Sequence, residues 1–204
     1  MYALIEDGYI TKIINNPKSM IIADVQYPAK IFQLWSQEEL NQIGIYEVIT
    51  DSSNHKDEAY YINTNEEYNF ANEQVTRSWG TATPKRLEDE DAVDEDGENI
   101  LDDDGNQVIN YGLKTEKKRI VKEQASGLLT PTDWYVVKAS EVADYNVPEN
   151  ITNYRSKVRA KSNEMETQID SCTTVEQLET LYTYTEQEDG TITRPLPEFP
   201  KEVV

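Results

Sequence analysis

Most of the side chains in this chain that could do chemistry are carboxylates. Eleven of them crowd between Glu88 and Asp104, interleaved with Asp96-Gly97 and Asp104-Gly105. Such a run invites a calcium loop, in which a glycine at the sixth position follows oxygen ligands at the first, third and fifth. With Gly97 sixth, the first position is Ala92 and the twelfth Asp103; with Gly105 sixth, they are Ile100 and Tyr111. Both frames lack the first ligand and the closing glutamate, so the run predicts loose cation attraction rather than a structured site. His55 is the only histidine, set between Asn54 and Lys56, which rules out a two-histidine metal set and reads as an exposed loop residue. Cys172 is the only cysteine, so no intramolecular disulfide forms, which fits a reducing compartment. No glycine pattern that cradles phosphate occurs, and nothing singles out one carboxylate pair for acid–base work. The expectation is a protein that is not an enzyme and holds no cofactor or metal.

The elements that must carry these residues follow from period and punctuation. Tyr2–Ile5 and Tyr9–Ile14 flank Asp7-Gly8, whose positive φ suits a two-residue hairpin turn. Met20–Val25 reads as a third strand. Ser36 with Glu39 has capping-box spacing ahead of a short helix, and Gly44 stands where a left-handed residue would end it. Ile45–Thr50, Tyr60–Asn63, Glu67–Phe70 and Gln74–Trp79 read as further strands. Residues 1–85 are therefore expected to form a β-rich module with a mostly antiparallel sheet.

Residues 86–125 are expected to hold the acidic run, as a flexible β-meander or arm, and then a basic helix. That helix carries Lys114, Lys117, Lys118, Arg119 and Lys122 and is expected to end near Gly127. Residues 126–204 should form a helical module. Pro148 opens a long helix to about Ser171, with Ile151, Val158, Met165 and Cys172 every seven residues and Tyr154 and Ile169 widening the stripe. Thr173 and Glu176 have capping-box spacing ahead of a shorter helix, and the two helices are expected to pair as a hairpin. The prolines at 195, 197 and 200 predict an extended tail. The fold class is α+β.

Composition narrows the partners. A net charge of −20 opposes duplex DNA and anionic membrane. No segment reaches about 18 consecutive apolar residues, and the first residues lack the layout of a secretory signal. The apolar fraction of 37% implies a small or split core, for which association into a homo-oligomer could supply missing burial.

One stretch carries a resemblance. Leu128-Leu129-Thr130-Pro131-Thr132-Asp133-Trp134, then Tyr154-Arg155-Ser156-Lys157-Val158-Arg159, is similar to the C-terminal domain of bacteriophage tail assembly chaperones. There a helix ends in a Leu-Leu pair, a Ser/Thr-Asp-Trp follows, and a helix bearing Tyr-Arg and a second Arg packs back. The resemblance implies a protein that binds another tail or tail-fibre component in the host cytoplasm during assembly, or stays in the virion tail. It implies partner-binding or module-holding roles for Leu128, Leu129, Asp133, Trp134, Tyr154, Arg155 and Arg159. Trp134 is expected as the anchor between the two helices, with Asp133 paired to Arg155 or Arg159. Tyr27-Pro28, Ile31–Ser36 and Gly44-Ile45-Tyr46 similarly resemble modules of tail-fibre and tail-assembly proteins.

Overall fold

The computed structural model describes residues 1–201. It divides into two units, Met1–Pro84 and a second beginning at Lys85. Strands dominate the first unit, with two short helices among them, and helices dominate the second, an α+β arrangement.

The first unit is built on strands β1 (Tyr2–Glu6), β2 (Tyr9–Ile14), β5 (Ile45–Thr50), β7 (Glu67–Ala71) and β8 (Gln74–Ser78). They form one sheet in the order β2-β1-β5-β8-β7, antiparallel except for the β5–β8 pair. Asp7 and Gly8 turn β1 into β2 with φ of 51° and 81°. Where one strand was expected at Met20–Val25 there are two, β3 (Met20–Ile22) and β4 (Val25–Tyr27), joined through Ala23 and Asp24 at positive φ. The short apolar run conceals that turn, because neither alanine nor aspartate announces a left-handed pair.

Period-two alternation sends neighbours to opposite faces of the sheet. Leu4, Ile14 and Ile45 pack with Ile22, Ile31 and Leu40 on one face. Ala3, Val48 and Val75 pack on the other. Helices α1 (Ile31–Leu34) and α2 (Gln37–Gln42) cover the first face. The Ser36–Glu39 capping box forms as expected: Glu39 N–H donates to Ser36 Oγ at 3.3 Å, and Ser36 N–H donates to the Glu39 carboxylate at 2.8 Å. Gly44 follows at φ 82°, and its amide oxygen accepts from Ile5 N–H at 2.7 Å. A Cβ there would lie 2.5 Å from the Ile5 carbonyl oxygen, so only glycine fits the helix-to-strand corner. The remaining strands are β6 (Tyr61–Ile62) and β9 (Thr83–Pro84), which pair with each other beside buried Tyr60 and Tyr61.

In the second unit the acidic run is a built meander. Strands β10 (Glu90–Asp91) and β11 (Ile109–Asn110) pair, and bridges join Val93 to Asn99 and Leu101 to Gln107. Val93–Ile100 and Leu101–Val108 are two copies of one eight-residue unit, apolar-Asp-acid-Asp-Gly-polar-amide-apolar. Asp94 accepts from the N–H groups of Asp96 and Glu98 at 3.0 and 2.9 Å; Asp102 accepts from those of Asp104 and Asn106 at 3.0 and 2.8 Å. Ala92, Ile100 and Val108, eight residues apart, close a ring of three backbone hydrogen bonds: Ala92 to Val108 at 2.8 Å, Ile100 to Ala92 and Val108 to Ile100 at 2.9 Å. Three short ribbons radiate from that ring. Asp94 and Asp102 thus spend carboxylate lone pairs on the backbone of their own turns.

The root of the meander is fastened to α3 (Leu113–Leu129). Gly112 N–H donates to Asp89 at 2.7 Å, and Lys114 Nζ pairs with Glu88 at 2.5 Å while itself buried. Helix α3 therefore runs unbroken through positions 125 and 126 and on past Gly127. The added residues pack the half-buried Leu128 and Leu129 against Ala125, Tyr154 and Val158.

A 3-10 turn over Thr130–Thr132, then α4 (Asp133–Glu141), α5 (Glu149–Ser171) and α6 (Val175–Tyr182) follow. The expected seven-residue stripe of α5 is buried throughout, from Ile151 to Cys172. The expected hairpin of α5 with α6 is only a minor contact, because α5 packs chiefly along α3. Lys118–Asp170 at 2.7 Å and Lys122–Glu166 at 3.3 Å mark that antiparallel register. The α6 cap sits one residue later than its sequence frame. Thr174 accepts from Gln177 N–H at 3.3 Å, and Gln177 reaches back to Thr173 N–H at 2.7 Å. A last hairpin, β12 (Thr185–Glu186) with β13 (Ile192–Thr193), leads into the proline-rich tail. That tail folds back: Leu196 is buried, its N–H donates to Leu181 at 3.0 Å, and Phe199 packs on the Ala125–Tyr154–Val158 cluster.

Candidate functional site

The motif residues converge where α3 ends and α4 begins. Leu128 and Leu129 supply the last turn of α3, whose carbonyls have no partner further along the helix. Thr130 Oγ1 donates back to Ser126 O at 2.8 Å, and Thr132 Oγ1 to Leu129 O at 2.7 Å. Arg155 then reaches across from α5, 8% exposed. Its Nη1 donates to Leu129 O at 3.0 Å and to Thr132 Oγ1 at 2.6 Å, and it lies 2.8 Å from Asp133 Oδ1. One guanidinium thus ties the end of α3, the 3-10 turn and the first residue of α4. Its charge also suits the negative end of α3, while Asp133 suits the positive start of α4. Tyr154 adds a long contact, Oη to Leu128 O at 3.5 Å. Of the two arginines expected as partners of Asp133, Arg155 is the one that pairs with it.

Trp134 does not occupy the place expected of it. Its side lies away from the helix pair and it is 52% exposed; α4 has no buried residue at all. The inner position is taken by Thr132, which the arginine needs as acceptor. Starting a helix at Asp133 then turns the next residue outward, about 100° per step. The indole packs instead on its neighbour Tyr135, with ring centroids 3.8 Å apart, and Lys138 lies 5.8 Å from its centroid. The sequence did carry a sign of α4: a proline inside the preceding turn and an acid at the first helical residue.

Arg159 is exposed, one turn beyond Arg155, and has no ion-pair partner among the described residues. It lines two cavities with Arg155. One, of about 450 Å³, includes Lys122, Leu129 and Asp133. The other, of about 440 Å³, lies between α4 and α5 and is walled by Val136, Val147, Thr152 and Ser156.

Aromatic and ion-pair contacts join other candidate residues. His55 meets the edge of Trp79 at 4.6 Å, Arg77 stacks on the same indole at 4.4 Å, and Glu66 joins Arg77 at 2.8 Å and Tyr68 at 2.6 Å. The Tyr68 hydroxyl holds the Glu66 carboxyl below its usual range, and the carboxylate raises Tyr68 in turn. Burial raises the Cys172 thiol, which keeps it protonated and unreactive. Tyr182 is pushed up to about 12 by burial, opposed by nearby Arg194. Among the described residues no three His, Cys, Asp or Glu side chains are grouped to hold a metal, and no helix is long and apolar enough to cross a membrane.

No family model matches the chain, and no curated protein or solved structure matches it either.

Proposed function

We propose that this chain is a non-enzymatic bacteriophage tail protein that binds another tail or tail-fibre component during assembly, in the manner of a chaperone. The observation that supports the reading is the division of labour inside the LLxxTDW and YRxxVR stretches. Arg155, Asp133, Leu128, Leu129 and Tyr154 hold the helices together. Trp134 with Tyr135 is left on the surface, where an amphipathic ring at low entropic cost makes a contact anchor.

The test is co-expression with each tail and fibre protein of the same phage genome, followed by co-purification. Trp134→Ala should abolish recovery of the cognate component while leaving the chain folded. Unchanged recovery with every candidate would refute the assignment. The alternative reading, a virion-resident fibre adaptor or baseplate decoration, is favoured by the built, hydrogen-bonded meander of residues 90–110, which suits a permanent part. Mass spectrometry of purified particles separates the two, since a chaperone is missing from the finished particle.

A further inference from the structure

The groove between α4 and α5 has an unusual character for so acidic a chain. Its wall is apolar at Val136 and Val147 and cationic at Arg155 and Arg159, with no carboxylate among the lining residues. Arg155 is engaged with Asp133. Arg159 therefore offers the groove a planar, unpaired guanidinium. Across the stretch that builds the groove, Asp133 to Arg159, four Lys or Arg balance four Asp or Glu, against a net charge of −20 for the whole chain.

A groove of that kind fits a segment with apolar side chains set among carboxylates. One such segment is on this molecule. In the meander, Val93, Ile100 and Leu101 are about half exposed, flanked by Asp94, Asp102 and the other acids of the two eight-residue copies. It cannot reach the groove of its own chain. Its root is fastened at the first turn of α3, whose 17 residues span roughly 25 Å to the end where α4 begins. Each ribbon extends only about three residues beyond the ring, roughly 10 Å.

We propose that the meander of one copy docks into the α4–α5 groove of a second copy, with Leu101, the most exposed apolar side chain of the two repeats, on Val136 and neighbouring carboxylates on Arg159. The contact is heterologous, so each copy presents one donor and one acceptor surface and association can continue head to tail. It is small and charge-led, which makes it weak and salt-sensitive. Val136 and Trp134 stand about 200° apart on α4, so this contact leaves the indole free and stands independently of the tail-component reading.

The experiment is sedimentation of the full chain and two one-sided variants. Val136→Glu places a carboxylate where acid must dock; Leu101→Ser removes the apolar side chain that sits on Val136. Both positions are exposed, and circular dichroism checks that each variant keeps its helix content. The parent should associate reversibly, with affinity falling about ten-fold or more on raising salt from about 0.05 to 0.5 M. Each variant alone should lose association by a similar factor. Their mixture should form a heterodimer, because one intact groove and one intact meander remain. A parent that stays monomeric up to about 1 mM overturns the proposal, and so does a mixture no more associated than either variant. Capture of a tail component by Val136→Glu, measured in parallel, keeps this outcome separate from that of the tail-protein reading.

Discussion

Replacing Arg155 with methionine probes the centre of the helical module directly. Methionine keeps most of the buried stem but removes the guanidinium. Two hydrogen bonds from a charged donor disappear, to Leu129 O and Thr132 Oγ1. Each such bond is worth about 1.5–3 kcal/mol when its partner is left buried. The loss is softened because Thr132 still donates to Leu129 O, and because water can enter from the adjoining cavity. The pair with Asp133 adds little, since that carboxylate side chain is 55% exposed. Arg155→Met should therefore destabilise the second unit by about 2–4 kcal/mol. Asp133→Asn should cost under about 1 kcal/mol. Hydrogen exchange at α3 and α5 amides reads this unit apart from the first. If Arg155→Met lies within about 0.5 kcal/mol of the parent, or Asp133→Asn matches it, the view of Arg155 as the tie between three segments fails.

Three other outcomes follow from the same geometry. Trp134→Ala should cost no more than about 1–2 kcal/mol in denaturant unfolding, less than Arg155→Met, because about half of the residue already meets solvent and its main ring contact is its neighbour Tyr135. Gly44→Ala should cost about 2 kcal/mol or more, combining a φ of 82° with a Cβ 2.5 Å from a carbonyl oxygen, and should show in the melting of the first unit. Tyr182 titrates near 10.0 when unfolded and at about 12 when folded, so the folded state holds the proton more tightly and stability falls as pH rises through that window. Tyr182→Phe should flatten this alkaline decline by about 1 kcal/mol after allowance for partial solvent access, and below pH 10 should be neutral or slightly stabilising, since the buried hydroxyl has no hydrogen-bond partner.

Much of the framework was legible because its causes are local. Asp7-Gly8 dictates a turn, Ser36 and Glu39 satisfy each other across three residues, and a seven-residue stripe from Ile151 to Cys172 can be buried only as a helix face. The resemblance implied that Asp133 pairs with Arg155 or Arg159, and the fold chose Arg155, whose position on the buried face of α5 brings it to the start of α4.

What the chain alone left open depends on groups distant in sequence. Nothing local says that α3 rather than the more apolar α6 lies along α5; the cross-helix pairs Lys118–Asp170 and Lys122–Glu166 mark the register only once the two meet. The ring of Ala92, Ile100 and Val108 exists only after two turns bring residues eight apart together. Trp134, the most hydrophobic-looking member of its motif, was placed by competition: buried Arg155 needs Thr132 as a polar partner at the inner position, and the helical step carries the indole to the surface. Side-chain type and spacing determined which elements form; the satisfaction of buried polar groups between elements decided which side chains face the solvent.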